Sequence, residues 1–142
     1  MKLNPRLDKL RKLAAHLRTV PPENFDFGTV WCGSVGCAMG HAVSVFPEEI
    51  GKFPQARHAE GPDHMQVGLL DGSAADYGHS ADRLFNLSHG DGELLFTPLS
   101  AEDIHEELPS LDDYATPTEV ADMLEQFCQL VESGKLEQYE TD

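Results

Sequence analysis

Apolar residues recur at steps of three and four over Leu7, Leu10, Leu13, Ala14 and Leu17, which predicts an amphipathic helix with Asn4 as its cap and Pro5 at its first position. Arg6, Lys9, Arg11, Lys12 and Arg18 fall mostly off that stripe, so the helix has a buried seam and a solvated basic face. Pro21-Pro22 ends it. The same period returns at Val120, Leu124, Phe127, Cys128 and Val131. Ahead of it, Thr116-Pro117-Thr118-Glu119 reads as a capping box with proline at the first helical position, and Gly134 follows as a C-terminal stop.

The middle of the chain is less regular. Phe25, Phe27, Val30 and Trp31 lead into a segment where Ser34 can cap a helix running to about Phe46, closed by Pro47. Gly36 and Gly40 share one face of it. Each costs roughly 1 kcal/mol relative to alanine in a helix interior, which calls for close approach by a neighbouring element and predicts a central, buried helix. Met65, Val67 and Leu69 alternate with Gln66 and Gly68 as in a short strand. Further helices are expected over Ala74 to Phe85 and from Ser88 to near Phe96, the latter weakened by His89-Gly90 and Asp91-Gly92. Ser100 to Tyr114 reads as a short surface helix or an irregular acidic segment. The pattern as a whole predicts a mainly α fold, a single domain over residues 1–142, built as a bundle of four or five helices around the central glycine-containing one, with room for one short β-hairpin.

Charge sharpens this picture. The formal net charge is −15, and it is unevenly spread: residues 1–18 hold six of the ten basic side chains against one acid, while residues 101–142 hold thirteen acids against Lys135 alone. Such an excess of carboxylate repels phosphate backbones, so nucleic acid is not the expected partner. No apolar run reaches the ~20 residues of a membrane span, and Lys9, Arg11, Lys12 and Arg18 break up the N-terminal stretch; a cytoplasmic protein without membrane contact is expected. Three cysteines in a reducing compartment are thiols or metal ligands before they are a disulfide framework.

The candidate chemistry lies in Trp31 to Ala42, where Cys32, Cys37 and His41 are interleaved with Gly33, Gly36 and Gly40. On a helix from Ser34, Cys37 and His41 stand one turn apart on the same face and can reach one zinc ion, with Cys32 folding back from just before the N-terminus. A fourth ligand could come from His58, His64, His79 or Cys128. A second reading makes Cys32 a nucleophile, activated at the helix N-terminus. A third makes the cysteines and glycines a packing joint, with His41 hydrogen-bonded at the edge of the core. No phosphate-binding glycine loop, HExxH, GxSxG or calcium-loop spacing is present, and the stretch around Leu84 to Ser88 lacks the basic residues of a DNA-reading helix-turn-helix.

Several segments carry a resemblance. Leu7 to Leu17, Phe25-Asp26, Cys32 to Ala42, Leu95-Phe96-Thr97-Pro98 and Thr116 to Ala121 together resemble a family of small, functionally uncharacterised proteins of bacteria and tailed phages with a Cys-Gly-x-x-x-Cys-x-x-Gly-His-Ala segment. The resemblance implies a mainly helical single domain and carries no activity. It departs at Leu87 to Glu93, where a glycine-rich stretch replaces a regular helical run. The leading expectation is therefore a non-catalytic interaction or accessory protein without a cofactor, using an acidic surface from residues 101–142 toward a protein partner. The alternative is a zinc or thiol site at Cys32, Cys37 and His41.

Overall fold

The computed structural model describes residues 2–25, 31–32, 35–36, 41–42, 45–46, 48, 66–68, 74–96, 101–112 and 114–139. Among these the chain is mainly helical, with α1 over Leu7–Leu17, α2 over Tyr77–Phe85, α3 over Asp91–Phe96 and α4 over Pro117–Glu132. No described helix is long and apolar enough to cross a membrane.

The frame is the pair α1 and α4. Leu10, Leu13, Ala14 and Leu17 of α1 and Val120, Ala121, Leu124, Phe127 and Cys128 of α4 are wholly buried, so the two apolar stripes face one core. Phe85 and Phe96, from the ends of α2 and α3, fill its centre with ring centroids 5.8 Å apart, and Phe46 meets Phe85 edge-on at 5.9 Å.

The two helices run antiparallel, as their ion pairs show. Arg18 Nη1 lies 2.9 Å from Asp122, near the start of α4, whereas Arg11 donates through both terminal nitrogens to Glu132 at 2.7 and 2.8 Å, at its end. Arg11 Nε also approaches Glu125 at 3.6 Å. The strands β1, Lys2–Leu3, and β6, Gln138–Tyr139, pair antiparallel beside this frame, Lys2 opposite Tyr139 and Leu3 opposite Gln138.

Local signals account for the helix ends. Thr116 caps α4: its Oγ1 accepts from Glu119 N at 3.1 Å and the Glu119 carboxylate accepts from Thr116 N at 2.9 Å. Gly134 follows at φ +80°, which lets Lys135 N turn back to Leu130 O at 3.0 Å. Asn86 ends α2 at φ +56° in the same way. The start of α1 differs from the sequence expectation, because the helix begins at Leu7 with Arg6 as N-cap and no side-chain cap. Longer-range bonds take over there: Arg6 N donates to Phe85 O at 2.8 Å and the Asn86 amide donates to Asn4 O at 3.0 Å, tying the chain before α1 to the end of α2.

Among the described residues, three two-stranded antiparallel pairs stand where a single hairpin was expected. The strand expected near Met65 is present as β4, Gln66–Gly68, but its partner is β5, Ala74–Asp76, which the helical period had assigned to the start of α2. The central helix expected from Ser34 is corrected more deeply. Trp31–Cys32 and Val35–Gly36 form β2 and β3, paired with Trp31 opposite Gly36 and Cys32 opposite Val35. Among the described residues of this stretch, helical backbone is found at residues 41, 42 and 45, where Phe46 N donates to Ala42 O at 2.8 Å. The physical reason lies between the strands: Gly33-Ser34 is a two-residue glycine-first sequence of the kind that suits a hairpin turn.

Candidate functional site

With Val35–Gly36 extended as β3, the helix expected from Ser34 does not begin beside Cys32, so the activation of its thiol by that helix N-terminus has no support among the described residues. Cys37 lies outside the described residues, as do His58 and His64. The backbone at Val35–Gly36 is strand, and the relation of Cys37 to His41 expected on a helix from Ser34 lies outside the described residues.

His41 is placed well. It is 8% exposed, and its Nε2 donates to Asn24 O at 3.0 Å. The Phe25 ring stacks on it at 6.0 Å. The imidazole of His16, from the last turn of α1, lies 5.7 Å away, tilted by 46°. Burial lowers the pKa of His16 and the neighbouring His41 lowers it further, so both forces keep that ring neutral. The strand β3 packs against the 3₁₀ turn Pro22–Asn24 whose last carbonyl holds His41, so hairpin, turn and both imidazoles form one neighbourhood.

His16 carried no signal of its own in the sequence. It is one histidine of seven, and only the fold of the 22–25 turn shows which other ring it meets. Among the described residues, no group of three or more His, Cys, Asp or Glu is arranged to hold a metal ion.

Cys128 is removed from the ligand set on geometric grounds. Its Sγ lies 3.9 Å from Leu7 O, at the first residue of α1, whereas His16 is about 13 Å further along that helix at 1.5 Å per residue. Burial pushes its thiol up to about 12, so it stays protonated and inert.

A second polar cluster went unnoticed in the sequence. Asp82, 8% exposed, accepts from Gly90 N at 2.9 Å and Gly92 N at 2.6 Å. Gln138, 2% exposed, accepts from Ser88 N at 2.8 Å and donates to Asp91 Oδ2 at 2.9 Å, while Tyr139 N donates to Ser88 Oγ at 2.8 Å. Burial raises the pKa of both Asp82 and Asp91, and hydrogen bonds hold back part of each rise. Every bond closes on the Ser88–Gly92 turn or on strand β6, so this cluster is a clasp. It joins the α2–α3 turn to the far end of the chain.

The acidic segment has the opposite character. Ala101 and Leu108 are buried, and Gln126 Nε2 donates to Glu107 O at 2.5 Å, so the segment is fastened to α4. A 3₁₀ turn at Ala101–Asp103 starts it, and irregular backbone follows. Glu102, Asp103, Glu106 and Asp112 point outward with no ion-pair partner among the described residues, and Glu107 pairs with Lys135 at 3.7 Å. Tyr114, 90% exposed, closes the segment, with its N–H on Asp112 Oδ1 at 2.9 Å. Comparison with models of known families, with curated proteins and with solved structures returns no match for this chain.

Proposed function

We propose that the protein is a non-catalytic interaction or accessory protein, of the phage-like kind its sequence resembles, which engages a basic protein surface through the segment from Glu102 to Tyr114. The observation that carries this reading is how the negative charge is used. Asp122, Glu125 and Glu132 of α4 are engaged by Arg18 and Arg11 of α1, whereas Glu102, Asp103, Glu106 and Asp112 are not. Carboxylates fixed in place on an anchored segment steer a cationic partner and lose little entropy on binding. Tyr114 adds a large, two-torsion apolar contact of the type enriched at interface centres.

The test is capture from the parent cell's lysate on immobilised protein at low and high salt. Capture should occur at low salt, fall as salt screens the charges, and vanish for the variant Glu102→Gln, Asp103→Asn, Glu106→Gln, Asp112→Asn. Empty eluates under both conditions, or identical capture by the variant, contradict the reading.

A further inference from the structure

We propose that His105 is a pH sensor built into the acidic surface: when its ring takes up a proton, the turn that presents Glu106 loosens and a cationic partner is released. The inference rests on the interaction reading of Glu102 to Tyr114 and adds how that surface is regulated.

The argument begins with one hydrogen bond. Glu107 N donates to His105 Nδ1 at 3.1 Å, and Leu108 N donates to His105 O at 3.0 Å, so the ring and the carbonyl of His105 together hold the turn over residues 105–108. A ring nitrogen that accepts carries no hydrogen, so this bond belongs to the neutral imidazole with its proton on Nε2. A proton arriving from solvent must therefore go to Nδ1, where the lone pair lies. There it meets the Glu107 N–H, donor against donor, and the bond is lost. Histidine is the side chain that ordinarily changes charge between about pH 5 and 8, which puts this loss in mild acid.

The second consequence is electrostatic. The half-buried His105 lies in sequence between the exposed Glu102 and Asp103 and the exposed Glu106, so an imidazolium there adds a cation to the carboxylates that attract the partner. The charges of the elements packed against this segment are engaged elsewhere. On α3, which meets the 3₁₀ turn, Asp91 accepts from Gln138. On α4, Glu119 accepts from Thr116 N, Asp122 pairs with Arg18, Glu125 and Glu132 pair with Arg11, and beyond it Lys135 reaches Glu107. The new charge thus acts first on the acids of its own segment. Leu108 stays buried and Gln126 still holds Glu107 O, so the change is confined to the surface. Acid removes negative charge and local order together, and both had favoured binding.

Titration of the full-length protein with a fluorescent oligolysine peptide at low salt, read by anisotropy, tests this, since lysine keeps its charge throughout the range. Wild type should bind at about pH 7.5 and lose about three- to ten-fold in affinity by about pH 5.5, the scale of one unit charge added several ångströms from a cation. His105→Gln, which cannot take the charge, should match wild type at the higher pH and hold most of its affinity at the lower one. Absence of binding at the higher pH overturns the interaction reading and this inference with it. Equal loss in wild type and His105→Gln, or no loss in either, overturns this inference alone. A second measurement needs no ligand: in nitrogen-edited NMR spectra the Glu107 amide of wild type should shift along the titration curve of the His105 ring, and that of His105→Gln should not. A Glu107 amide that stays in place while His105 titrates overturns the proposal whatever the peptide does.

Discussion

Asp82 holds a turn together with one carboxylate, each oxygen taking a backbone N–H, from Gly90 and Gly92. Asp82→Ala leaves two amides at the clasp without their acceptor, and a loss of about 2–4 kcal/mol is expected from urea unfolding near neutral pH. The pH dependence follows from burial. Because the folded-state pKa lies above the ordinary 3.8, the folded protein holds this proton more tightly than the unfolded chain does. The contribution of Asp82 is thus full below the unfolded value and declines as pH rises through the folded one. The gap in stability between wild type and Asp82→Ala should widen on acidification from neutral to about pH 4. A gap that narrows toward acid would contradict this account of the site.

At the scale of elements, α4 is where local instructions agree with one another. Thr116→Ala removes the side-chain half of the capping box seen at 3.1 Å and should cost about 1 kcal/mol, read as a lower Tm. An unchanged Tm would mean that packing alone sets where the helix starts. This helix was legible in the sequence because its cap, its period and its glycine stop all lie within the helix or within two residues of its ends. The seam of α1 was legible for the same reason, but its first residue was not, since Arg6 N is taken by Phe85 O from a distant part of the chain. At Trp31 to Gly36 two local signals competed. Gly36 and Gly40 suggested a helix face, whereas Gly33-Ser34 suits a hairpin turn, and the hairpin formed. Strand β5 was missed because its pairing with β4 is not local, so the period of α2 looked continuous through Ala74. The candidate site was half legible. The Cys to His segment stood out by composition, but the contact of His41 with His16 depends on how the 22–25 turn folds back onto α1.

Over the whole molecule, the sequence's basic front and acidic rear fold onto each other. Arg18 with Asp122, Arg11 with Glu132 and Lys2 with Glu137 lie in order along the antiparallel frame, so charge helps to set which ends meet. Exposed pairs of this kind contribute modestly to stability and are screened by salt. Their consequence is a division between acids spent on the fold and the exposed acids of residues 102–112 that the proposed function assigns to a partner. The most direct measurement crosses two variants, scoring each for Tm at low salt and for partner capture. One neutralises Glu102, Asp103, Glu106 and Asp112; the other carries Asp122→Asn, Glu125→Gln and Glu132→Gln. The first should keep its Tm and lose capture, and the second should melt earlier yet still capture while folded. Capture retained by the first variant, or lost by the second at a temperature where it is folded, would contradict the account.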